Sequence, residues 1–128
     1  RAKRLLQAVI EDDPALAQDL FFPREAFAHV KAMAKPDRYW QRLFARFEAD
    51  IHTLHTSLPG LTDATFVRVE PARRMRWMPP GSEGNRLPYW AARHGKLWYQ
   101  SQGKERSFEL RVMITWGKHW YIIHLLDW

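Results

Sequence analysis

YWAARHGKLWYQSQGKERSFELRVMITWGKHWYIIHLL, residues 89–126, is the stretch whose reading decides the fold. Glycine stands at positions 95, 103 and 117, each between runs in which apolar and polar residues alternate. Two-residue hairpin loops need positive backbone φ, which glycine adopts without steric penalty. His94-Gly95, Gly103-Lys104 and Gly117-Lys118 are therefore the expected turns, joining four strands. Closing the last turn pairs Trp116 with His119, Ile114 with Tyr121, Val112 with Ile123 and Leu110 with Leu125. Closing the middle turn pairs Leu110 with Leu97 and Phe108 with Tyr99, and closing the first pairs Leu97 with Ala92 and Tyr99 with Trp90. All three turns nominate one apolar face, and a one-residue slip would flip a strand. The expectation is an antiparallel meander.

Upstream the period changes from two to that of a helix. Leu5, Leu6, Val9 and Ile10 mark a short amphipathic helix ending before Asp13, a natural N-cap with Pro14 at the first helical position. Pro23 opens another with Phe27, Val30 and Met33 on one face. From Asp37 to Leu58 the residues Tyr39, Trp40, Leu43, Phe44, Phe47, Ile51, Leu54 and Leu58 trace a continuous apolar stripe. Pro59-Gly60 stops it, and strands are expected over 65–69 and 73–78, followed by a loop of breakers over 79–85. Helices over about 1–58 and a meander over about 64–127 make one α+β domain, with the long helix laid across a curved antiparallel sheet of about five to six strands. The element order resembles the cystatin-like and nuclear-transport-factor-2-like group. That resemblance implies helices cupped by a sheet, and a function drawn from small-molecule binders, isomerases and hydrolases, or dimerising accessory domains.

With 128 residues, 46% of them hydrophobic and 14% aromatic, the chain must bury a large core and cannot be disordered. No cysteine is present, which removes disulfides, thiolate chemistry and cysteine-bound metals. No apolar run spans a bilayer, so the domain is expected to be soluble. The chain begins at Arg1 rather than Met, which leaves export to the periplasm or beyond open. A net charge of +6 favours anionic partners.

Several constellations carry possible chemistry. His52 and His55 are i, i+3 on the long helix, and His119 and His124 flank the last strand. Without three converging ligands no metal is expected, and no cofactor. A general base in the helix–sheet cavity would be His55 or His119, with Asp127, or with Glu83 if its loop folds over the opening. No pair has a spacing that catalysis demands, and no phosphate-binding loop or nucleophile elbow occurs. Arg68, Arg73, Arg74, Arg76, Arg86, Arg93 and Lys96 form a basic band beside Trp98 and Trp120, yet sheet-platform motifs for nucleic acid are absent, so nucleic acid is disfavoured as a partner.

The expected reading is a non-enzymatic accessory or ligand-binding domain. Its cavity should take a small hydrophobic ligand near His55, Trp77, Glu83, Asn85, Tyr89, Tyr99 and His119. The other sheet face, which by this register shows Trp98, Arg111, Met113, Trp120, Ile122 and His124, is too apolar for solvent and is the expected homodimer interface. The runners-up are a small isomerase- or hydrolase-type enzyme using His55 or His119, and a partner-binding module of a larger exported protein.

Overall fold

The structure, a computed structural model, describes residues 1–31, 33–81 and 85–126. It is an α+β fold in which helices pack on an antiparallel five-stranded sheet. Helix α1 (Ala2–Glu11) buries Leu5, Leu6, Ala8 and Val9 and ends on Asp12 in the left-handed region at φ 53°. Asp13 Oδ1 then accepts from the Ala15 N–H at 3.2 Å, capping a 3-10 helix over Pro14–Leu20 rather than an α-helix. Helix α2 (Arg24–Val30) buries Phe27 and Val30, and α3 (Pro36–Ser57) buries Leu43, Phe47, Ile51 and Leu54. Between them Phe21, Phe44 and Phe47 make an edge-and-tilt aromatic cluster with centroids 5.1–5.9 Å apart.

The strands are β1 (Thr65–Glu70), β2 (Arg74–Met78), β3 (Tyr89–Ser101), β4 (Lys104–Trp116) and β5 (His119–His124). β3 and β4 form one long hairpin at the sheet's centre, with β5 beside β4. β1 and β2 lie end to end on the far edge of β3, over Lys96–Gln100 and Tyr89–Arg93 respectively. Residues 21–22 run along β5, where the Phe22 N–H donates to Ile122 O at 2.9 Å and Trp40 Nε1 donates to Phe22 O at 2.7 Å. That edge of the sheet is thereby covered.

Three features depart from the hairpin reading. His94-Gly95 is not a turn: β3 runs straight through it as one 13-residue strand. The positive φ belongs to His94, at 63°, and at Gly95 space is tight instead, since a Cβ there would meet Glu70 O at 3.2 Å, where the chain crosses from β1 to β2. Losing that turn inverts the facing of residues 89–93. Tyr89 and Ala91 point to the helices, whereas Trp90 is 46% exposed on the other side, not in the core. The middle loop is Gln102-Gly103, with φ 54° and 72°, closed by Ser101 opposite Lys104. This displaces the β3–β4 register by two residues, so Leu97 meets Phe108 and Tyr99 meets Arg106, and every side chain keeps its expected face. The last turn closes as expected through Met113 opposite Ile122, then a bulge inserts Ile123 and sets Val112 against His124.

The hairpin's far end is tied to the end of α3. Ser101 Oγ lies 2.6 Å from Gly60 O and 2.8 Å from Asp63 Oδ1, and the Gln102 N–H donates to Asp63 Oδ2 at 3.0 Å. These bonds, first from Ser101 and then from Gln102, hold the Asp63 carboxyl below its ordinary value. A carboxyl lowered in the folded state stabilises fully above its unfolded value and loses that contribution as pH falls through the folded one. Asp63→Asn is accordingly expected to flatten the acid limb of the urea midpoint between about pH 5 and pH 2. An unchanged acid limb would mean the carboxylate is not held there.

Candidate functional site

A cavity of about 250 Å3 opens between α2, α3 and the inner sheet face. Its walls are apolar, from Phe27, Leu43, Met78, Ala91, Val112, Ile114 and Ile123, while Lys31, Tyr39, Tyr89, Arg93 and His124 bring polar groups to the lining. The local sequence explains why these meet. Lys31 follows α2 in extended backbone and bridges to Asn85, and the Arg86 N–H donates to Val30 O, so residues 30–31 and 85–86 clip together. From this clip Lys31 Nζ donates to Asn85 Oδ1 at 2.5 Å and to the Tyr89 hydroxyl at 3.3 Å, standing 5.4 Å from the Tyr89 ring centre. Asn85 is only 3% exposed, and its Nδ2 has no partner among the described residues. Arg93, Val112 and His124 follow one another across three neighbouring strands. At a strand spacing of ~4.8 Å this puts the guanidinium and imidazole stems about 10 Å apart, either side of Val112. His124 reaches this face because of the Ile123 bulge; without it the ring would point outward, as the hairpin reading expects.

Of the residues expected to bind a ligand, Asn85 and Tyr89 meet at this site, joined by His124 from the expected interface and Arg93 from the basic band, and the other expected ligand residues do not join them. His55 sits between helices with Nδ1 2.8 Å from Val9 O. Tyr99 is fully buried and donates to Pro59 O at 3.0 Å, where burial raises its hydroxyl pKa. His119 shares the side of the sheet that carries Trp116 and Tyr121, its ring edge-on to Tyr121, but is exposed at the β4–β5 turn and is not part of the cavity lining. Trp77 is 47% exposed on the outer sheet face. Glu83 and Asp127 lie outside the described residues. Lys31 escapes a site reading based on sequence alone, and Arg93 is read there as part of a basic band rather than of this cavity. Nothing local relates Lys31 to Asn85, 54 positions away, but Arg93 emerges from the alternation of residues 89–101 once they are taken as one strand.

The expected interface residues also divide. Ile122 is core, His124 lines the helix-side cavity, and Trp98 is partly covered by Arg68 and Lys96, 5.0 and 5.7 Å from the ring. Arg111 lies half-buried, 3.8 Å from the Glu109 carboxylate. Met113 and Trp120 do face outward, lining with Met75 and Ala92 a second, almost wholly apolar cavity of about 170 Å3. Among the described residues no cluster of three or more His, Asp or Glu could hold a metal ion, and no helix is long and apolar enough to cross a membrane.

Comparison with known proteins finds no family model, no curated protein and no solved structure that matches the chain. The site's chemistry rests on its geometry. An open cavity with mostly apolar walls and ammonium, guanidinium, imidazole and phenol groups in its lining can cover a hydrocarbon or aromatic body while donating to an acceptor-rich head.

Proposed function

We propose that this chain is a small-molecule-binding domain whose site is the cavity between α2, α3 and the sheet, and whose ligand carries an apolar body and an anionic head. The observation that carries the reading is the juxtaposition of Lys31, Asn85 and Tyr89 beside an otherwise apolar cavity that Arg93 and His124 also line. Helices on an antiparallel sheet with a pocket between them is the arrangement of the cystatin-like and nuclear-transport-factor-2-like group, and that likeness of layout supports binding over a purely structural role. It does not by itself choose a ligand.

Calorimetric titration with decanoate, decanol and decylamine tests both halves of the proposal. Decanoate should bind with a negative heat-capacity change, decanol more weakly, and decylamine not at all. Ala91→Phe, which fills the cavity from its floor, should abolish decanoate binding. Undetectable decanoate binding up to about 1 mM, a free energy near −4 kcal/mol, would overturn the reading. So would binding undiminished in the filled variant.

A further inference from the structure

The two margins of the sheet are unlike. Residues 21–22 cover β5, whereas β2 pairs with β3 on one side, and among the described residues no backbone group bonds to its other side. Every second residue of such a strand turns its N–H and C=O outward, a template for another extended chain. β1, on the same margin, has its register broken by a bulge between Phe66 and Arg68, but β2 keeps one register against β3 from Arg74 to Met78. Its side chains sort by parity. Met75 and Trp77 stand opposite Ala92 and Trp90 on one side of the sheet, and Arg74 and Arg76 stand opposite Arg93 and Ala91 on the other. All four are exposed, Met75 by 55% and Trp77 by 47%. Trp77 meets Trp90 edge-to-face at 5.4 Å, and Met75 borders the apolar cavity that Ala92, Met113 and Trp120 also line. On the opposite side neither Arg74 nor Arg76 makes an ion pair or hydrogen bond among the described residues, although Glu70 lines the same depression as Arg74.

We infer that β2 is a docking edge for an extended segment of an acidic partner protein. The segment adds to the sheet as a further strand, with acidic side chains against Arg74 and Arg76 and apolar ones against Met75 and Trp77. Directly opposed residues of paired strands share a side of the sheet, so the alternation of β2 dictates that of its partner. Charge selects the occupant. A second copy pairing antiparallel with its sides matched would set Arg74 against Arg76, or Arg76 against itself, and like charges directly opposite oppose pairing. An acidic segment meets opposite charge at both positions, and the net charge of +6 draws it in. The inference does not depend on the ligand proposed for the cavity between the helices and the sheet.

The test is anisotropy of fluorescein-labelled nonapeptides titrated with the whole chain. A nonapeptide alternating valine with glutamate should bind about tenfold tighter than one of the same composition with its glutamates contiguous, and than one alternating valine with lysine. Hydrogen exchange followed by NMR should show alternate amides of β2 slowed about tenfold or more by saturating peptide, with those of β5 unchanged. Arg74→Glu with Arg76→Glu should reverse the preference, weakening the glutamate peptide about tenfold and favouring the lysine peptide. Both arginines are exposed, far-UV circular dichroism checks that the variant folds, and the exchange experiment needs no variant. No saturable binding of the alternating glutamate peptide up to about 1 mM overturns the inference. So does equal binding of the contiguous-glutamate peptide, which would be charge attraction without strand pairing, or a complex in which the β2 amides are unprotected. Protection of the same amides without peptide, together with a dimer mass in light scattering, overturns it in favour of a second copy.

Discussion

Phe47→Ala should lower the free energy of unfolding by about 3–5 kcal/mol, the range for truncating a fully buried aromatic. Phe47 is 1% exposed at the middle of α3, with its ring against Phe21 and Phe44 at once. Phe21 belongs to the segment that covers β5, so the cavity left behind would loosen the helix and the edge of the sheet together. Small domains are stable by only about 5–15 kcal/mol, so a loss of this size should shift the urea midpoint far while leaving the slope unchanged. Tyr39→Ala, on the same stripe but 41% exposed, should cost under about 1 kcal/mol. A Phe47→Ala loss no larger than that of Tyr39→Ala would show that the aromatic cluster is not packed as described.

The second large effect concerns the clip between Lys31 and Asn85. Lys31→Met takes the donor from an amide that is nearly wholly buried, leaving Oδ1 without the ammonium that donates to it. An orphaned buried polar group costs roughly 1–3 kcal/mol, whereas replacing both members of a pair by apolar groups of similar shape is close to neutral. Lys31→Met should therefore destabilise by that amount, and Lys31→Met with Asn85→Leu should recover most of it. In a double-mutant cycle the coupling would exceed about 1 kcal/mol, above the additivity expected of independent sites. Additive losses would mean that the ammonium and the amide do not depend on one another. The backbone bond from the Gly81 N–H to Asn85 O, at 2.7 Å, is made by the main chain and survives the substitution, so the cycle reports on the side chains.

Much of the architecture is legible in the sequence because it depends on periodicity. The stripe of α3 and the alternation of β4 follow from where apolar residues recur, and a two-residue displacement of the β3–β4 register leaves the faces intact. What periodicity cannot show are the places where one residue breaks it. A glycine after a polar residue announces unusual backbone but not whose, and at 94–95 the positive φ falls on His94 while Gly95 gives room to a crossing chain. The bulge at Ile123 is invisible for another reason: two consecutive isoleucines and a nearby leucine read the same in either register. Both departures are of parity, so they scatter the candidate site. The first hides Arg93 and reverses Trp90, and the second sends His124 to the wrong face. The pairing of Lys31 with Asn85 has no local signature at all.

The end-to-end placement of β1 and β2 along one edge of β3 bears on how the chain assembles itself. The β3–β4 hairpin closes over two residues, so its loop entropy is small and its rungs can zip outward from Gln102-Gly103. β1 and β2 meet that ribbon as two separate short clasps, joined by Pro71-Ala72-Arg73, and each can engage or release without carrying the other. The central ribbon is thus a template and its far margin a pair of independent latches.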